Sequence, residues 1–99
     1  MRKYSILALV VICLQAPVVR AEEVGRVACA GDSITYGAGV ANRGKNNYPK
    51  VLGGLLGAGY ESRNFGVSGA TLLKKGDHPY WRTGAFKAAT AFKPHIVII

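Results

Sequence analysis

Val27-Ala28-Cys29-Ala30-Gly31-Asp32-Ser33-Ile34-Thr35-Tyr36-Gly37 is the stretch on which the fold turns. Its first four residues are apolar without alternation. A strand that meets water on one face alternates apolar with polar residues, so an unbroken run marks a strand buried on both faces, as in a parallel sheet covered by helices. The run then passes at once into Gly31, Asp32 and Ser33, residue types that favour a sharp turn. From Gly31 to Asn47 the chain is rich in Gly and Asn and reads as loop.

Working outward, Tyr48, Val51, Leu52, Leu55 and Leu56 fall at helical spacing and make one apolar face. Asn46 or Asn47 caps this helix, Pro49 suits its first turn and Gly57 closes it. Gly53 and Gly54 each cost it about 1 kcal/mol relative to Ala, and nothing in the sequence accounts for them. Tyr60 to Phe65 is a more polar strand, suited to a sheet edge. A second helix is expected over Ala85 to Phe92, with Ala85, Ala88, Ala89 and Phe92 on one face and Pro94 as its stop. Ile96 to Ile99 is a β-branched strand. Strand, helix, strand, helix, strand implies an α/β fold, a parallel sheet with helical crossovers on both faces. A strand as apolar as Ile96 to Ile99 belongs inside a sheet, since an open apolar edge invites aggregation. The expected domain therefore continues past Ile99.

In open α/β sheets, ligands bind beyond the carboxyl ends of the strands. The first strand ends in Gly31-Asp32-Ser33-Ile34-Thr35-Tyr36-Gly37, which brings a serine hydroxyl to that crevice. The second ends in Asn64-Phe65-Gly66-Val67-Ser68-Gly69-Ala70-Thr71, which brings backbone N–H donors. A nucleophile beside preorganised donors is what acyl transfer needs, because its tetrahedral intermediate carries a developing oxyanion.

These two stretches resemble the first and second blocks of the SGNH (GDSL-type) hydrolase family. The resemblance covers nearly all of Val27 to Ile99 and is closest to exported bacterial carbohydrate or sialate O-acetylesterases. It implies a three-layer α/β/α, flavodoxin-like fold of which only the first β-α-β-α-β is present. It also implies an esterase working through an acyl-serine. By that resemblance Ser33 is the nucleophile, and the N–H groups of Ser33 and Gly69 are two oxyanion donors. The family's third donor is an Asn in a Gly-x-Asn-Asp block after the third strand. Its Asp and His form an Asp-x-x-His pair near the end of the domain. This chain contains none of these three, so by itself it is expected to be inactive.

Other residues compete for roles. Asp32 reads as a structural hydrogen-bonder, and Ser68 lacks the second glycine of a Gly-x-Ser-x-Gly elbow because Ala70 stands there. His95 opens the third strand, about 15 Å from the Ser33 end at ~3.3 Å per residue. His78 lies in the loop from Lys74 to Thr83, and Asp77-His78 lacks the family's spacing. Tyr80 and Trp81 have the chemistry to stack on a sugar, but packing against the next helix is favoured. Gly37-Ala38-Gly39-Val40-Ala41-Asn42 begins like a dinucleotide-binding fingerprint. It fails at Asn42, and its first glycine comes too far past the strand. A non-catalytic carbohydrate-binding module on the same scaffold is the second alternative, since fold alone never proves activity.

The remaining features bound the setting. Arg2 and Lys3, the apolar run from Ile6 to Leu14, and Val19-Arg20-Ala21 have the three-part form of a secretory signal cleaved after Ala21. Residues 22–99 are then the start of a secreted or periplasmic hydrolase domain with no stable membrane anchor. Losing Arg2, Lys3 and Arg20 lowers the charge from +8 to +5, since all five acidic residues follow the signal. The remaining basic residues are scattered, which argues against a nucleic-acid partner. Cys13 leaves with the signal, so Cys29 stands alone, and no Cys/His cluster has metal-ligand spacing. No cofactor is expected, and the expected partner is a small-molecule or carbohydrate ester.

Overall fold

A computed structural model describes residues 23–99; the expected signal at residues 1–21 lies outside them. The strands are β1 (Gly25–Gly31), β2 (Tyr60–Gly66) and β3 (Ile96–Ile98). They form one parallel sheet in the order β2-β1-β3. β1 pairs with β2 from Gly25↔Tyr60 to Gly31↔Gly66, and with β3 from Val27↔Ile96 to Cys29↔Ile98. The apolar run thus lies in the middle, with Val27, Ala28 and Cys29 at 2%, 0% and 0% exposure. The polar β2 is hydrogen-bonded on one side only, as its composition requires.

Alternate residues of a strand face opposite sides, and the register assigns the two faces. Ala28 and Phe65 lie on one face under the helix Gly84–Ala91, packed with Ala85, Ala89 and Phe92. Cys29, Ser62 and Asn64 lie on the other, under the helix Tyr48–Leu56 and the turn that follows β1. Helices on both faces of a parallel sheet make the three-layer α/β arrangement expected from the sequence.

The segment read as loop, Gly31 to Asn47, instead contains two single-turn helices, α1 (Ser33–Tyr36) and α2 (Arg43–Asn46). Four residues are too few to show a hydrophobic period. Side chains tie these turns down: Asp32 accepts from Ile34 N at 3.0 Å, and Asn46 Nδ2, from within α2, donates back to Ala41 O at 2.7 Å. Gly37 ends α1 at φ 92°, a conformation that favours glycine.

The helix α3 (Tyr48–Leu56) has the expected cap, with Asn47 Oδ1 accepting from Lys50 N at 3.0 Å, and it closes at Gly57. Its contact face differs from the expected apolar stripe. Leu55 is 81% exposed and Val51 47%. The face that meets β2 is Pro49 and Gly53, where Ser62 Oγ donates to Pro49 O at 2.8 Å. A Cβ on Gly53 would stand 3.3 Å from Ser62 Cβ, so this glycine permits the close approach of helix to strand. Nothing in the structure explains Gly54, which has open space around it.

The helix α4 (Gly84–Ala91) begins at Thr83, whose Oγ1 accepts from Phe86 N at 3.2 Å. Ala89 is buried as expected, but Ala88 is exposed. Lys93, at φ 50°, turns the chain out of the helix. His95 N then bonds Arg26 O at 2.8 Å and starts β3.

Candidate active site

Two turns meet at the carboxyl ends of β1 and β2. Ser33 is the first residue of α1 and follows β1 after Gly31 and Asp32. It is half-buried, and its carbonyl accepts from Gly37 N at 2.9 Å and Ala38 N at 3.0 Å. Asp32 behaves as the structural hydrogen-bonder expected of it, with its carboxylate on the Ile34 N–H. Thr35, at 5% exposure, holds α1 from below: its Oγ1 lies 3.3 Å from the Tyr48 hydroxyl. Burial pushes the Tyr48 pKa up, and the Thr35 contact partly opposes that rise. Tyr48 therefore remains a neutral hydrogen-bonding group beside the site.

Glycines set how closely these pieces approach. A Cβ on Gly66 would lie 2.3 Å from Tyr36 N and 2.8 Å from Tyr36 Cα, so the backbone of α1 rests on the end of β2. A Cβ on Gly31 would meet Thr35 Oγ1 at 2.4 Å. Asn64 completes the junction. Its Nδ2 donates to Thr35 O and its Oδ1 accepts from Gly66 N, each at 2.8 Å.

The second turn starts one residue later. Val67 N donates to Gly31 O at 2.9 Å, and Ala70 N to Val67 O at 3.1 Å. Gly69 sits at φ 85° in this four-residue turn, at the position where a type II turn demands positive φ. A Cβ at this position would meet no atom of the described chain within 4 Å, so within the fold the glycine answers to the backbone angle. Ser68 and Gly69 are both exposed.

A crevice opens at the ends of β1 and β3, between Asp32 and Thr35 on one side and Ala70, Thr71 and Tyr80 on the other. Ser33 and Gly69 are not part of its wall. Each is the chain neighbour of a residue that is, Asp32 and Ala70. The two expected site residues thus adjoin the crevice along the chain, on separate turns.

Neither histidine joins this group. His95 pairs at the far end of β1, where its Nδ1 accepts from Arg26 N at 2.9 Å. His78 is exposed, and its carbonyl accepts from Thr71 N at 2.9 Å. Tyr80 is a core residue: it is 4% exposed and its hydroxyl donates to Phe65 O at 2.6 Å. Trp81 is 40% exposed, packs edge-on against Phe86 at 5.2 Å and donates from Nε1 to Leu72 O at 3.2 Å. Among the described residues, no three His, Cys, Asp or Glu side chains gather as a metal site would need.

The residues that reading the sequence passed over are Asn64, Gly66 and the Thr35–Tyr48 pair. The one available signal was a polar Asn in a strand whose neighbour Phe65 is apolar. A half-buried Asn needs partners for both ends of its amide.

Residues 29–99 match the GDSL-like lipase/acylhydrolase family. Over 78 residues the chain is 54% identical to an acetylxylan esterase of Xylanibacter ruminicola, an alignment that covers 79% of this chain and 16% of that protein. The chain thus spans a small part of the length of the curated relative it matches. No solved structure matches it significantly.

Proposed function

The chain belongs to the GDSL-like lipase/acylhydrolase family, and from that premise we propose that it forms the nucleophile-bearing part of an exported serine esterase that deacetylates a carbohydrate. The observation that carries this reading is the junction of the two turns, with Ser33 opening α1 at the end of β1 beside the Gly69 turn. The carbohydrate is inferred from the acetylxylan esterase relative. Export is inferred from the leader-like start of the sequence.

In this mechanism Ser33 Oγ attacks the ester carbonyl. A free serine hydroxyl is a weak nucleophile, so a histidine from chain beyond Ile99 takes its proton. The carbonyl oxygen becomes an oxyanion, held by the Ser33 and Gly69 N–H groups and a third donor beyond Ile99. The alcohol leaves with a proton from the histidine. Water then hydrolyses the acyl-serine by the same steps in reverse. Residues 22–99 alone hold neither base nor third donor and do not turn over.

The test uses the full-length exported protein with an aryl acetate and with acetylated xylan. The expected results are acetate release, labelling by a fluorophosphonate at Ser33 alone, and a mature N-terminus at Glu22. A label on Ser68 would refute the site. A pure, folded full-length protein that binds the polysaccharide but releases no acetate would favour the non-catalytic binding module.

A further inference from the structure

We infer that Asn64 is the positioning residue of this site, holding the turn of Ser33 at a set distance from the turn of Gly69. The inference rests on the roles proposed above for those two residues. It begins from what α1 lacks. A single turn of helix cannot sustain itself, because nucleation costs more than one turn of hydrogen bonds returns. α1 has four residues, and its internal and closing bonds go to Asp32 O and Ser33 O. Thr35 O is one of its last carbonyls, which no later N–H of the helix reaches. Asn64 Nδ2 supplies that donor at 2.8 Å, across 29 positions of sequence.

The other end of the same amide holds the last residue of β2, just before the second turn. Val67 N continues the ladder to Gly31 O, so the Gly66 N–H points away from β1. Asn64 Oδ1 accepts it at 2.8 Å. One planar side chain thus satisfies a carbonyl two residues after Ser33 and an N–H three residues before Gly69. An amide has donor and acceptor on opposite atoms of a rigid plane, so it fixes the turn of Ser33 relative to Gly66, the last residue of β2, from which the turn of Gly69 departs. The Gly66–Tyr36 backbone contact keeps the segments from moving closer. Asn64 keeps them from moving apart.

An oxyanion hole works only when its donors stand about 2.7–3.1 Å from the oxyanion. A misplacement of about 1 Å, even from a residue remote from the chemistry, costs about 100-fold. The β1–β2 ladder and the Gly66 contact remain when the Asn64 amide is removed. The main expected loss is therefore in rate rather than in fold.

The experiment compares Asn64→Ala and Asn64→Asp with wild type in the full-length protein, on folded enzyme quantified by circular dichroism. Asn64→Ala lowers kcat about 10–100-fold and leaves KM within about threefold. Asn64→Asp keeps the acceptor for Gly66 N–H. Its ionised carboxylate has no proton for Thr35 O, whereas its protonated form has one. The kcat ratio of Asn64→Asp to wild type therefore rises as the pH falls from 8 toward the ordinary Asp pKa of about 3.9, while the ratio for Asn64→Ala stays flat. The titratable groups near position 64 are Cys29 across the sheet, Asp32 and Tyr36 on the α1 turn, and Tyr48 on α3. Variant and wild type share them, so their effects largely cancel in the ratio. Folded Asn64→Ala with kcat within twofold of wild type overturns the inference, as does an Asn64→Asp ratio independent of pH. If Asn64→Ala does not fold, the pH profile of Asn64→Asp decides. Ser33→Ala run alongside separates the two readings. Activity retained in Ser33→Ala sinks the site assignment itself, whereas loss in Ser33→Ala but not in Asn64→Ala sinks only the role of Asn64.

Discussion

The turn of Ser33 and the turn of Gly69 lie side by side, yet they are held in place by different means. The first is gripped from outside. Asp32 caps it, Thr35 anchors it through the Tyr48 hydroxyl, Asn64 takes its terminal carbonyl and Gly66 lets its backbone rest on β2. The second is anchored at its ends, where Ala70 is buried with Ala30 and Tyr80 and Val67 packs beside them, but its tip at Ser68 and Gly69 is exposed and is shaped by its own backbone, with one hydrogen bond across the turn and Gly69 at φ 85°. A larger residue in the first region therefore meets neighbours, whereas one at Gly69 meets only a dihedral preference. Added bulk should therefore fail differently in the two regions, at Gly66 through stability and at Gly69 through rate, whereas trimming Ser33 or Asn64 adds no clash and costs mainly rate.

The largest expected effect lies where the comparison predicts no structural cost at all. Ser33→Ala removes one oxygen from a half-buried residue whose main-chain bonds are untouched. In the full-length protein, esterase turnover should fall about 10⁴-fold or more, with the melting temperature within a few degrees of wild type. Near-normal hydrolysis of an aryl acetate by folded Ser33→Ala would break the assignment.

Gly66→Ala tests the grip on the first turn. Its Cβ would overlap the Tyr36 backbone at 2.3 Å, and backbone cannot swing aside as a long side chain can. Overpacking of this kind costs about 3 kcal/mol, readable as a lowered urea midpoint with the slope unchanged. A midpoint within error of wild type would mean that α1 is not seated on β2.

Gly69→Ala is the counterpart. No neighbour stands within 4 Å of the added methyl, so the cost is the positive φ alone, about 1–2 kcal/mol for an L-residue. The alanine relieves it by rotating the turn and swinging its N–H away. Turnover should then fall about 100-fold, the cost of one oxyanion donor, while the acyl-enzyme still forms. A variant that loses stability as Gly66→Ala does, with kcat unchanged, would reverse the contrast.

The smallest effect compares two adjacent glycines of α3. Gly54→Ala adds a methyl in open space and should stabilise the protein by about 0.5–1 kcal/mol through helix propensity. Gly53→Ala should gain less or nothing, because its Cβ stands 3.3 Å from Ser62 Cβ. Chemical denaturation of both variants checks the sign of the difference.

Much of this was legible in the order of residue types. The unbroken apolar run of Val27 to Ala30 marks a central strand because only burial on both faces tolerates it. The polar β2 belongs at an edge for the converse reason, and Asn47-Tyr48-Pro49 marks a helix start through local capping chemistry. The two motif stretches also fall at strand ends, as expected. These signals are local: each needs only the residue and a few neighbours. The one-turn helices within Gly31 to Asn47 escaped because four residues carry no period, and their caps are the same Asn, Asp and Gly that loops use.

What the sequence by itself determined is the alternation of elements, the parallel sheet and the two turns that carry the candidate site, since hydrophobic periodicity and turn chemistry act along the chain. What only the tertiary structure decided is which residues hold those turns. The stripe from Tyr48 to Leu56 predicts a leucine-lined contact, but α3 meets β2 through the buried Pro49 and through Gly53, where even a Cβ would stand 3.3 Å from Ser62 Cβ. Tyr80 is expected to pack against the next helix, but that its hydroxyl donates to Phe65 O inside the core is seen only in the fold. Asn64 and Gly66 read as members of a motif, but their partners, Thr35 and Tyr36, lie about thirty residues earlier. Steric exclusion and hydrogen-bond satisfaction act between groups that touch, and which groups touch is settled only when the chain has folded.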